Sequence, residues 1–216
     1  DPSQYSAYTE APGAYGHIKN QVIDELSRVG ITEDQLATGG LKVTTTIDMT
    51  VQNASTDAAH AQLAVLQEDA RAAAVTIDPA TGAVRGYFGG DDSNGWDYAN
   101  SPLQTGSVFK IMALAAALQQ GIDLSTYYSS APYQLPGSQI VTNVGGGCGS
   151  CSIAEALKNS YNTSFLRLQD DLENKMQDTA DMAHALGVAR SLPGIEKTLT
   201  ENGGTPYEGV VLGQYQ

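Results

Sequence analysis

Along this chain the spacing of apolar positions changes repeatedly, and each change marks an element. Residues 1–20, rich in Tyr, Pro, Gly and Ala, read as an irregular lead-in. Ile18, Val22, Ile23, Leu26 and Val29 then recur at helical spacing and stop at Gly30, which predicts an amphipathic helix over 18–29. Gly39-Gly40 introduces the alternating, β-branched stretch Leu41–Ile47, a predicted strand. Asp48 is placed as the N-cap of a helix from about Thr50 to Leu66, with His60 on it in a surface or packing role. Two short runs, 73–77 and 83–88, flank Asp78-Pro79-Ala80-Thr81-Gly82 and predict a hairpin. Gly89-Gly90 ends it, and a polar loop runs from Asp91 to Leu103. Eight consecutive apolar residues follow, Ile111–Leu118, closed by Gly121. That run is too short to cross a membrane and has no polar face, so it predicts a helix buried in the middle of a domain. After a loop-rich stretch to about Val144, with a short extended piece at 139–141, Ser152-Ile153-Ala154-Glu155 has capping-box spacing and opens a helix that reaches Ser160-Tyr161-Asn162. Helices over about 163–172 and 176–186, the second carrying His184 and ending at Gly187, complete a helical region. Strands and helices together place the chain in the α/β (α+β) class.

Composition narrows the function classes. A length of 216 residues suits one large domain, or one with an appendage. A net charge of −13 with only 11 basic residues argues against a nucleic-acid surface. No leader or membrane-spanning stretch is visible, and the abrupt start at Asp1-Pro2 and stop at Gly213-Gln214-Tyr215-Gln216 read as a segment cut from something longer. Cys148 and Cys151 form a Cys-x-x-Cys inside a glycine-rich loop. Two thiols without a nearby histidine do not make a zinc site, and the βαβ context of a redox pair is missing. A small structural disulfide is the favoured reading, provided the compartment is oxidising.

The candidate chemistry sits at the mouth of the apolar run, in Gly106-Ser107-Val108-Phe109-Lys110. Ser107 and Lys110 are three apart, so on a helix they share a face with Cβ atoms roughly 5–6 Å apart. Unpaired N–H groups and the positive end of the helix dipole favour an alkoxide and a neutral amine there. A serine needs a base to become a nucleophile, and a desolvated lysine can be that base. The same spacing also arises as a capping serine beside a solvated lysine. Here Lys110 leads straight into the apolar run, which argues for burial and a polar partner.

Ser160-Tyr161-Asn162 lies 53 residues beyond Ser107. On one continuous helix Ser160 and Asn162 would point about 200° apart, so they converge only if the helix breaks between them. Ser-x-x-Lys followed by Ser-x-Asn is the pattern of penicillin-recognising serine enzymes. More of the chain matches: Gly40–Asp48 with Gln52, Ile77–Val84 with Gly89-Gly90, Asn159–Phe165, and Val211-Leu212-Gly213. Taken together, these stretches resemble a class A (bifunctional) penicillin-binding protein, with an interdomain linker at 1–70 and the N-terminal portion of a transpeptidase domain at 71–216.

That resemblance implies a penicillin-binding transpeptidase, serine β-lactamase-like fold: an antiparallel sheet flanked by helices, plus an all-helical region. It implies a D,D-transpeptidase in which Ser107 is acylated by the D-Ala-D-Ala end of a peptidoglycan stem peptide. Lys110 and Ser160 would move protons, Asn162 and Tyr161 would bind substrate, and β-lactams would acylate the same serine. No metal or cofactor is implied, and the expected location is the extracytoplasmic face of the bacterial cytoplasmic membrane, with the anchor outside this segment. The family's third box, Lys-Thr/Ser-Gly, is absent; Lys197-Thr198-Leu199 carries leucine where that box needs glycine. The remainder of the domain, in the same or a separate chain, is expected to supply it. The rival readings are a hydrolase (β-lactamase or carboxypeptidase) and a β-lactam sensor. Glu196 only faintly matches the deacylating glutamate of one lactamase class, and the linker resemblance disfavours both.

Overall fold

The computed structural model describes residues 13–137, 139–192, 194–201 and 204–214. The expected lead-in over residues 1–12 lies outside them. The chain forms two compact units, the first ending at Ser101 and the second beginning at Pro102.

In the first unit, helix α1 (Tyr15–Arg28) starts inside the stretch expected to be irregular and stops just before Gly30. A short helix that the sequence pattern did not predict, α2 (Glu33–Thr38), is closed at its N-terminus by a reciprocal capping box. Thr32 Oγ1 accepts the Gln35 N–H at 3.3 Å and Gln35 Oε1 accepts the Thr32 N–H at 2.9 Å. Helix α3 (Met49–Leu63) begins as expected at Asp48, whose carboxylate accepts the N–H groups of Thr50 and Val51. The expected hairpin forms from β1 (Ala74–Ile77) and β2 (Val84–Phe88), antiparallel, with an irregularity between Thr76 and Ile77. Gln52, 1% exposed on α3, fastens that helix to β2: its amide accepts the Tyr87 N–H at 2.7 Å and donates to the Tyr87 carbonyl at 2.9 Å.

The stretch 41–47 is not a strand. Its end is attached to β2, by Thr46 Oγ1 to the Val84 carbonyl, by Arg85 to the Thr46 carbonyl and by the Asp48 N–H to the Arg85 carbonyl. Two side-chain hydrogen bonds and one backbone bond take the place of a ladder, and Val43 stays exposed. β-Branched alternation alone does not make a strand without a partner ladder.

The second unit starts with a 3₁₀ turn, Gly106–Phe109, that runs directly into α4 (Lys110–Gln119). After it come β3 (Tyr127–Ser129), β4 (Tyr133–Gln134), β5 (Ile140–Val141) and β6 (Ser150–Ser152). Among the described residues the strands pair two by two, β1 with β2, β3 with β6 and β4 with β5, all antiparallel. Helices α5 (Ile153–Lys158), α6 (Asn162–Asp170) and α7 (Met176–Ala185) and a 3₁₀ turn at Val210–Leu212 complete the unit. Ser152 caps α5 by accepting the Glu155 N–H. Cys148 and Cys151 are joined in a disulfide.

Helix α4 differs from the expectation of burial on every side. Lys110, Ala113, Ala116 and Ala117 form its buried face, while Ile111 and Leu118 are 50% and 48% exposed. With no polar residue in the run, hydropathy could not say which face turns inward; residue size did. The alanines permit close approach to α6 and α7, and the latter contributes Ala180 and Ala183.

Lys175, which precedes α7, has φ 52° and ψ −126°, a conformation that only glycine adopts without strain. Its side chain is exposed, so Lys175→Gly is expected to raise stability by about 1 kcal/mol, the relieved strain exceeding the entropy cost of glycine. A urea midpoint that falls instead would contradict this.

Candidate active site

Helix α5 ends in a Schellman arrangement. The Tyr161 N–H bonds the Ala156 carbonyl at 2.9 Å and the Ser160 N–H bonds the Leu157 carbonyl at 3.0 Å, with Ser160 left-handed at φ 57°. Glycine is the usual occupant of that position. Asn162 then opens α6 in a new direction, so the break that Ser160 and Asn162 needed in order to converge is present.

The convergence point is the amine of Lys110. Its Nζ lies 3.0 Å from Ser107 Oγ, 2.8 Å from Ser160 Oγ, 2.7 Å from the Ser160 carbonyl and 2.7 Å from Asn162 Oδ1. Of these four partners, the carbonyl and the Asn162 oxygen can only accept, so they claim two N–H bonds. The remaining valence faces the two hydroxyls, as a third N–H in the ammonium or as a lone pair in the amine. Held this way, the neutral amine can take a proton from one hydroxyl and return it to the other.

Lys110 is fully buried, whereas Ser107 and Ser160 are exposed above it. Among the described residues no carboxylate partners it, and burial lowers its pKa from the usual 10.5 to about 8. The Phe165 ring, centred 5.8 Å from Nζ, gives the ammonium form a weak offset. About a tenth of the amine is therefore free of its proton at pH 7.

The structure gathers Ser107, Lys110, Ser160 and Asn162. Tyr161 differs, packing half-buried against the core cluster of α4 and α6. Sequence reasoning passed over the role of Phe165, and also of Gly213, which closes the turn Val210–Leu212 against Gly106. A lone phenylalanine on a helix carries no periodic signal of facing a lysine. Gly213 stood out only as part of a matching stretch.

Comparison with known proteins gives this arrangement a family. The pattern of the family described as Penicillin binding protein transpeptidase domain matches residues 72–213. Penicillin-binding protein 1A of Mycolicibacterium smegmatis is 51% identical over 210 residues, 96% of this chain and 27% of that protein. Penicillin-binding protein 1A of Mycobacterium tuberculosis is 49% identical over 218 residues, again 27% of its length. The solved structure of the PonA1 protein from Mycobacterium tuberculosis in complex with penicillin V superposes with a TM-score of 0.88 at 51% identity, covering 94% of this chain and 55% of that one. The chain thus spans about a quarter of the curated relatives and about half of the solved one. With a serine and a buried lysine three residues apart, completed by a second serine and an asparagine from a broken helix, the chain belongs to the family of penicillin-binding protein transpeptidase domains.

Proposed function

We propose that Ser107 is the nucleophile of a peptidoglycan D,D-transpeptidase. The observation that carries this is the buried Lys110 amine within hydrogen-bonding distance of both Ser107 Oγ and Ser160 Oγ. Ser107 Oγ attacks the carbonyl between the two terminal D-alanines of a stem peptide, and its proton passes to Lys110. The oxyanion that forms accepts the Ser107 N–H, in the first turn where N–H groups lack helical partners. As the C–N bond breaks, Ser160 hands a proton to the departing D-alanine amine and Lys110 replenishes it. Asn162 orients Lys110 and the substrate amide. The acyl-enzyme is then attacked by an amine of a neighbouring stem, the new amide forms and Ser107 recovers its proton. A β-lactam follows the first half of this path and leaves Ser107 acylated.

In this reading residues 1–70 serve as a linker and the rest of the transpeptidase domain completes the substrate cleft. The Cys148–Cys151 disulfide supports an extracytoplasmic location, since such bonds persist in oxidising compartments. The test is intact mass and peptide mapping of the full-length protein after incubation with penicillin V, followed by a D-Ala-D-Ala stem peptide with an amine acceptor. One stable adduct on the peptide containing Ser107, and D-alanine release coupled to amide formation, are expected. Rapid release of opened penicillin would make the protein a hydrolase. The absence of both the adduct and D-alanine release would remove the reading altogether.

A further inference from the structure

The Ser160–Asn162 break leaves α6 with an uncapped start. Tyr161, the residue at its N-cap position, offers no side-chain hydrogen bond to the exposed N–H groups of the first turn. The missing acceptor arrives from a loop 20 residues upstream. Asn143 Oδ1 accepts the N–H of Thr163, the second residue of α6, at 3.0 Å. Its Nδ2 donates to Thr163 Oγ1 at 2.9 Å and to the Ser130 carbonyl at 2.9 Å. Ser130 is in turn fixed to the disulfide loop, its N–H bonding the Gly149 carbonyl at 2.9 Å.

We propose that Asn143 is a positioning residue for the acylation site: a helix cap supplied in trans that fixes the start of α6, and through it Asn162 and Ser160, around the Lys110 amine. Thr163 is fully buried and adjoins Asn162, so its backbone cannot shift without carrying Asn162 along. An N-cap acceptor must reach the second or third N–H of a helix, and Asn143 meets that geometry from outside the helix. The side chain touches neither Ser107 nor Lys110 directly. Its effect is on where their partners stand.

The inference rests on the acylation reading above, and the experiment separates the two. The full-length protein, Asn143→Ala and Asn143→Asp are compared by stopped-flow acylation with penicillin V, resolving the binding constant Kd from the acylation step k2, alongside urea denaturation. Asn143→Ala is expected to lower k2 by about 100-fold, the scale of an ångström-level misplacement, with Kd little changed. Asn143→Asp keeps the acceptor for the Thr163 N–H, which a helix N-terminus favours as an anion, and can also accept the Thr163 hydroxyl; it gives up the amide donor to the Ser130 carbonyl, and should hold k2 within about tenfold of wild type. A purely structural role would lower the urea midpoint and leave k2 of the folded protein intact, and that result overturns the proposal. So does an Asn143→Asp as slow as Asn143→Ala. Should Asn143→Ala not fold, Asn143→Asp decides against wild type: a k2 about 100-fold lower in the folded variant overturns the proposal. If wild type itself takes no penicillin at Ser107, the failure lies with the functional reading.

Discussion

Replacing Lys110 with methionine is expected to slow acylation of Ser107 by about 10³-fold, within the range of a removed general base. Methionine fills nearly the same buried volume, so the packing around Phe165 and α4 is retained while the amine is lost. The Ser160 carbonyl and Asn162 Oδ1 also lose their donor, and part of the effect will come from that. The pH profile separates the two contributions. In wild type, acylation should climb as Lys110 loses its proton near pH 8. In Lys110→Met that ascending limb should vanish. A variant that keeps the limb, or keeps its rate within about tenfold, would show that another group takes the proton.

The same shift fixes the sign of a stability effect. Lys110 titrates at about 8 when folded against 10.5 when unfolded, so between those values the unfolded chain binds more protons. Stability from this group therefore rises with pH from about 8. The tyrosines oppose it above pH 10. Burial first, and then a carboxylate partner, raise Tyr87, Tyr128 and Tyr133, the last to about 12, so the unfolded chain ionises first. The net gain should be confined to roughly pH 8–10.

Gly213→Ala should cost about 2–5 kcal/mol of folding stability and disable the site as well. Gly213 is left-handed, at φ 72°, and an added Cβ would stand 2.4 Å from the backbone N and O of Gly106 and 2.8 Å from its Cα. Left-handed strain accounts for about 1–2 kcal/mol and overpacking for about 1–3. These contacts are backbone, so no rotamer change relieves them. Either the turn Val210–Leu212 withdraws from the buried cluster, or Gly106 moves, and Ser107 is the next residue along. Urea denaturation gives the first number and the penicillin V acylation rate gives the second. An unchanged urea midpoint would mean that the two turns are not in contact in solution.

Much of the site was legible because its information is local. The three-residue step from Ser107 to Lys110 fixes a shared helix face, and the two-residue step from Ser160 to Asn162 demands a broken helix. Both follow from helix period alone. The hairpin and the Asp48 cap were legible for similar reasons, since turn chemistry and capping act within a few residues. What escaped depended on partners distant in sequence. Leu41–Ile47 has the side chains of a strand, but Thr46 and Arg85 make the attachments that a ladder would have made. The inward face of α4 was decided by its own small residues, which let α6 and α7 approach. Strand β3 exists through its pairing with β6, and three residues carry too little pattern to announce it. Asn143 caps a helix 20 residues away, where no spacing rule reaches.

Ser160 occupies a position where folding and chemistry ask for different residues. A left-handed helix stop is most stable as glycine, and a serine there costs about 1–2 kcal/mol. In the proposed mechanism its hydroxyl is the only link from Lys110 to the leaving amine. A stability-guided redesign of this chain would therefore choose Ser160→Gly early and count it a success. The product would be a sturdier protein with its proton relay removed, so any engineering of this domain has to score turnover at this residue separately from melting.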